Sequence, residues 1–290
     1  MLTSLLLLLS LAGAPPTIRE RLAAADVPGA DVVIVHHEVR TEVKPSGAST
    51  VLENKLYKAQ TRQGAARLTT LRSDVEATTN AVDIVSLGSC HPRGGCTTIT
   101  PVVTEVPQPA GWILWRFRMK IVTIPALEPG MGLQVVTRKR GFLIAYLGQE
   151  PDEEFVPPMR GHFYDQILFG DEPYPVLEKE YVLTLPPDKR LHVKEYNGPV
   201  ASSTTYNAQG TTHRWVMRDL PAFEREPMAP FESDGLPKVV LATVPDWQAK
   251  SRWFHEVNEQ QFEATPEIRA KVAELLRGVT AREQQLAVLT

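Results

Sequence analysis

Ile113-Leu114-Trp115-Arg116-Phe117-Arg118-Met119-Lys120-Ile121 alternates: Ile113, Trp115, Phe117, Met119 and Ile121 fall on one face of an extended chain, with Arg116, Arg118 and Lys120 on the other. The segment therefore predicts a strand that buries one face only. The same grammar continues outward in both directions. Residues 32–39 are rich in Val and Ile, and Pro45-Ser46-Gly47 marks a turn into residues 50–59. Leu177, Tyr181, Leu183 and Leu185 repeat the pattern, and residues 204–207 with 211–217 read as a hairpin about Ala208-Gln209-Gly210. Roughly a dozen such strands fit before Arg218, and an open twisted sheet of that size curls or splits. The expectation is a mainly β chain, a two-layer antiparallel β-sandwich-like body spanning residues 27–244.

Helical signals are confined to the two ends. Residues 17–25 form a short amphipathic stretch. After Pro245, Trp247, Phe254, Val257 and Gln261 recur at helical spacing with Asp246 as N-cap, and Trp247 and Trp253 are expected to anchor that helix to the sheet. Thr265-Pro266-Glu267 supplies a capping hydroxyl, a proline at the first helical position and an acid at the positive end of the dipole. Thr280-Ala281-Arg282-Glu283 matches a capping box and opens a helix still under way at Thr290. Residues 245–290 thus read as a separate helical segment.

Composition narrows the function classes. The 290 residues carry 31 basic and 34 acidic side chains, a net charge of -3, so nothing general attracts a phosphate backbone and a nucleic-acid role is not expected. Pro and Gly, 24 and 18 residues, are too few for a low-complexity chain. The leucine-rich run at residues 2–12 is shorter than the roughly 20 residues of a membrane span, and Ala12-Gly13-Ala14 follows it. Residues 1–14 are read as a secretory signal, which predicts export to the periplasm or cell envelope with no membrane span after its removal.

Export bears on the cysteines. Cys90 and Cys96 flank Pro92-Arg93-Gly94-Gly95, a turn between two strand-like runs, so a disulfide across a hairpin is the favoured reading. The sharper alternative makes Cys90 a nucleophile beside His91, but adjacent strand residues point to opposite faces. The same divergence weakens His36-His37-Glu38 as a metal site, since His36 and Glu38 supply only two ligands on one face; no metal or cofactor is expected. His91, His162, His192, His213 and His255 add no ligand spacing, Asp152-Glu153-Glu154 between prolines reads as a solvated loop, and Gly130-Met131-Gly132 as a turn. Trp112 and Trp115 lie on opposite faces of one strand, so one of them could line a peptide or glycan groove, with packing under a neighbouring loop the preferred reading.

Residues 118–130, a basic-apolar strand running into Pro125-Ala126-Leu127-Glu128-Pro129-Gly130, resemble part of a bacterial all-β domain of unknown function that precedes transglutaminase-like cores. Tyr174-Pro175, Leu185-Pro186, the run from Trp215 through Arg218-Asp219-Leu220-Pro221-Ala222-Phe223-Glu224 to Glu226-Pro227, then Trp247 and Trp253-Phe254, follow as consecutive landmarks over residues 27–262. The resemblance implies a β domain leading by a helix into a papain-like core that carries Cys, His and Asp. That triad would lie beyond Thr290, so no catalytic residue carries over and the chain is not expected to be an enzyme. The family has a plain Asp-Gly type turn where this chain has Cys90 and Cys96. The implied role is an accessory or substrate-presenting module that meets a transglutaminase-like core through its C-terminal helices; the alternative is an envelope binding or scaffold protein with no enzymatic partner.

Overall fold

A computed structural model describes residues 16–76, 80–107, 117–141, 159–208 and 210–289. The expected signal segment 1–14, Trp112, residues 113–116 of the alternating strand, the acidic run 152–154 and Gln209 lie outside the described residues. The chain divides into two compact units, with the boundary between Thr243 and Val244.

The first unit holds helix α1 (Ile18–Ala24), strands β1 (Val32–Val43) and β2 (Ser49–Ala59), helix α2 (Arg62–Arg67), and strands β3 (Thr70–Glu76), β4 (Asn80–Cys90), β5 (Cys96–Thr98), β6 (Val102–Pro107), β7 (Phe117–Thr123), β8 (Gly132–Gly141), β9 (Tyr164–Leu168), β10 (Val176–Leu185), β11 (His192–Tyr196), β12 (Ala201–Asn207) and β13 (Gly210–Leu220), then helix α3 (Glu232–Gly235) and strand β14 (Lys238–Ala242). One large sheet runs β12-β13-β10-β1-β2-β8-β4-β5, and two small sheets run β11-β14-β9 and β3-β7-β6. A single apolar cluster takes Ile34, Tyr57, Leu133, Leu183 and Trp215 from the large sheet, Val239 and Leu241 from β14, and Val122 from β7. Both small sheets therefore share a core with one face of the large one, the two-layer arrangement expected of strands that bury a single face.

The far face of the large sheet is partly covered by α1. Its Thr17 cap accepts from Glu20 N while the Glu20 carboxylate accepts from Thr17 N at 2.7 Å, a complete capping box. Leu22 and Ala25 then pack on Val35, Leu56 and Cys90. Gly132 makes the approach possible: a Cβ there would stand 2.8 Å from both Leu22 methyl carbons and 3.2 Å from the Tyr57 carbonyl oxygen.

Three features depart from the expected alternation. First, β1 and β10 pair in parallel, while the other described strand pairs are antiparallel. Second, the β1–β2 register shifts between Ile34 and His36, leaving Val35 as an inserted residue. Val32 and Ile34 join the main core, Val35 joins the α1 cluster, and Val39 and Val43 return to the main core. The bulge thereby sends His37 inward and His36 outward. Third, on β7 the core receives Val122 at 2% exposure, on the side of Lys120, whereas Met119 and Ile121 are only half-buried. The predicted order of faces is reversed at this end of the strand, because Val122 pairs with Leu71, which packs on the core, and Lys120 satisfies its ammonium on the Val82 carbonyl at 2.7 Å.

The second unit contains α4 (Trp247–Glu259), a 3-10 turn (Gln260–Phe262), α5 (Pro266–Leu275) and α6 (Arg282–Leu289). Asp246 caps α4 by accepting from Ala249 N at 2.7 Å, and Thr265 caps α5 with Pro266 in its first turn. α6 begins one position later than its capping-box motif implies: the Ala281 carbonyl takes the first helical bond, from Gln285 N, so Thr280 does not cap it. None of the three helices has a buried residue. Trp247 is 88% exposed. No helix among the described residues is long and apolar enough to cross a membrane.

Candidate functional site

The bulge at Val35 helps build a charged interior network in the first unit. His37 Nε2 stands 2.7 Å from Glu53 Oε1, and Nδ1 is 3.3 Å from Glu172 Oε1 in the loop between β9 and β10. Lys55 bridges the same two carboxylates at 3.1 and 2.8 Å, and Lys179 reaches Asp171 at 2.6 Å while lying 5.9 Å from the centre of the Phe169 ring. Strand register explains the convergence, since His37 is paired with Lys55 on one side and with Lys179 on the other.

Burial holds the His37 imidazole below its ordinary 6.5, against the upward pull of the Glu53 hydrogen bond. Burial would raise Glu53, but the His37 hydrogen bond and the Lys55 charge outweigh it and hold the carboxyl well below its usual range. Lys55 is likewise disfavoured by burial yet raised by Tyr57, Glu53 and Glu172, and burial pushes the Tyr57 phenol up to about 12. Nearby, Tyr181 donates to Asp165 Oδ2 at 2.7 Å, and burial raises the Asp165 pKa. These groups tie the two layers together through paired charges. A buried pair of this kind fixes geometry more than it adds stability.

The outward face carries a second ladder. Glu178 binds Arg218 at 2.7 Å and Arg21 of α1 at 3.3 Å, Glu180 takes a two-pronged grip from Arg214 at 2.6 and 2.9 Å, and Arg40 binds Glu38 at 2.5 Å. His36 Nδ1 lies 3.3 Å from Glu178, and His36, Glu178 and Glu180 place one ligand atom each within 4.8 Å of one another. This is the geometry that could hold a divalent cation, and the pairing of His36 with carboxylates from β10 was not visible in His36-His37-Glu38 alone. The carboxylates are, however, already neutralised by arginines, which a cation would have to displace. His37 and Glu38, the other members of the triplet, point into the core network and toward Arg40.

The two cysteines form a disulfide, closing the β4–β5 hairpin with Cα atoms 4.0 Å apart. Cys90 is 1% exposed and packs beside Leu22, and no free thiol is found among the described residues. His91 turns away to accept from Arg93 N at 3.1 Å. His162 faces the Thr243 carbonyl at 3.2 Å and His213 the Thr204 hydroxyl at 3.0 Å, so the scattered histidines are not brought together.

Residues 103–224 match the family model of a domain of unknown function with a solved structure, DUF3857. The match covers the landmarks from Arg118 to Glu224 and leaves Glu226-Pro227, Trp247 and Trp253 outside it. A crystal structure titled "putative protease" from Parabacteroides distasonis aligns with a TM-score of 0.67 at 15% identity, covering 89% of this chain and 49% of that one. The shared property is the fold, and the chain spans about half the length of that structure. An M1 zinc metallopeptidase from Deinococcus radiodurans aligns with a TM-score of 0.36 at 15% identity over 73% of this chain and 42% of that one, too distant to bear on function. No curated protein matches the sequence.

Proposed function

We propose that this chain is a non-catalytic accessory module that supports, or presents substrate to, a transglutaminase-like or cysteine-peptidase-like core outside the cytoplasm. The observation that carries this reading is the second unit. Its helices leave Trp247, Phe254, Phe262 and Ile268 exposed at 88, 59, 80 and 52%, an apolar surface of the kind that a protein neighbour covers. The core is the natural neighbour, because the family resemblance leads from the β domain through helices into one. The half of the "putative protease" that this chain does not match leaves room for such a core. Catalysis is assigned to the core, since Cys90, the cysteine weighed as a nucleophile, is committed to a disulfide. The disulfide and the leucine-rich leader support export.

The test is to read the coding DNA past Thr290, and the adjacent genes, for a Cys-His-Asp core and to co-express it with this chain. Slowed amide exchange across α4, α5 and α6 is expected. Absence of any such core, or unchanged exchange in its presence, would count decisively against the proposal.

A further inference from the structure

We propose that the free edge of β12 takes up an extended peptide as an added strand of the large sheet. Among the described residues β12 pairs with β13 along one side only and ends the sheet, and all seven of its residues are exposed, Tyr206 to 79%. Alternate backbone N–H and C=O groups of such a strand face outward and can be satisfied by another extended chain.

Proteins usually blunt such edges with charge, proline, irregularity or shortness. The other described edges of this molecule follow that practice. β5 is three residues long and pinned by the disulfide; β3 carries Arg72 and Asp74; β6 carries Glu105 and Pro107; β9 carries Asp165; β11 carries Lys194 and Glu195. β12 reads Ala-Ser-Ser-Thr-Thr-Tyr-Asn and has none of these devices. Its register with β13 runs unbroken from Ala201 opposite Val216 to Asn207 opposite Gly210. The template is also held in place from behind, because Trp215 and Val216 of β13 are 3 and 4% exposed. A preformed edge lowers the ordering cost of binding to that of the incoming strand alone.

The size of the edge selects the occupant. Seven residues at about 3.4 Å each give a strip of roughly 24 Å, which buries on the order of 500 Å² in total, well short of the roughly 1,200 Å² of a stable dimer. That scale suits a single peptide strand, whose affinity comes from main-chain hydrogen bonds and whose selectivity comes from alternate side chains. Ser202, Thr204 and Tyr206 share a face with Trp215 and His213, while Ser203 and Thr205 take the other face. β12 itself carries no charge, and Arg214, which stands opposite Ser203, is already gripped by Glu180, so the favoured ligand is an unfolded stretch of uncharged, β-branched, hydroxyl-bearing or aromatic residues. The inference deepens the substrate-presenting role proposed above and rests on that reading for its biological use; its geometry involves none of α4, α5 or α6.

The probe is a fluorescent peptide, acetyl-Thr-Val-Thr-Tyr-Thr-Val-Thr-amide, titrated into the full chain, alongside an analogue N-methylated at alternate amides. Binding at least about tenfold weaker for the analogue and for Thr204→Pro, with slowed exchange of β12 amides in the unaltered chain, is expected. Thr204→Lys serves as a second edge block should the proline variant misfold. Equal binding by the two peptides, no binding at millimolar peptide, or self-association of the chain dispersed by Thr204→Lys would each overturn the proposal, the last by making a second copy the occupant. Neither result bears on docking by the helices, so the two proposals fail separately.

Discussion

His37 hydrogen-bonds through one side of its ring only: Nε2 lies 2.7 Å from Glu53 on β2, while Nδ1 lies 3.3 Å from Glu172 between β9 and β10 without a hydrogen bond. The imidazole is 3% exposed, so its protonation state is set by its neighbours and by burial.

That relationship predicts acid lability. His37 has a folded pKa below 6.5, so its contribution to stability is complete above 6.5 and is lost as pH falls through the folded value. His36 and His213 are lowered by burial and act in the same window. Glu53 is held below 4.5, so its contribution is present above 4.5 and fades in stronger acid. Lys55, Lys179, Asp171, Glu172 and Tyr57 complete the charged and titratable surroundings. Asp165 opposes the trend, because its raised pKa favours the folded state in acid. Urea midpoints are therefore expected to be flat between about pH 7 and 9 and to fall below 6.5, with His37→Gln flattening the first part of the fall. An unchanged profile in that variant would remove His37 from the account.

Gly132 and Leu22 should be energetically coupled. Gly132→Ala places a methyl group against the Leu22 side chain and the Tyr57 carbonyl. It is expected to destabilise by about 1–3 kcal/mol. Leu22→Ala alone should cost about 2–5 kcal/mol. In the double variant Gly132→Ala should cost less than it does alone, which a double-mutant cycle by urea denaturation measures directly.

The Cys90–Cys96 bridge closes a short loop, for which chain-entropy arguments give a stabilisation of about 2 kcal/mol. Cys90→Ala with Cys96→Ala should lower stability by about that amount, plus the lost packing of Cys90 on Leu22. The unaltered chain should show no reactive thiol until reduced, which a thiol-titration assay under denaturing conditions reads out.

Trp247 and Phe254 offer a contrasting case. Replacing both with Ser should leave the urea midpoint within about 0.5 kcal/mol of the original, because the side chains are exposed. Binding of an apolar dye should fall in the same variant. A large loss of stability would mean that these residues pack within the isolated chain.

Much of this architecture could be read in advance because its signals are local. Asp246, and Thr265 before Pro266, cap the helices they announce, and the cysteines close the hairpin their spacing suggests. The long-range features had no local signature. Nothing around His36 points to Glu178 and Glu180, because those carboxylates arrive through a parallel pairing far along the chain. The insertion of Val35 reverses which histidine enters the core, and strict alternation cannot anticipate a bulge. On β7 the face was misread because Val122 and Ile124, beyond the quoted run, decide which side is buried.

The parallel contact of β1 with β10 also constrains how the molecule is made. Every strand from β2 to β9 must leave the ribosome before the centre of the large sheet can close, so the first strand waits unpaired on that side through most of synthesis. A chain with such a late seam is slow to become compact.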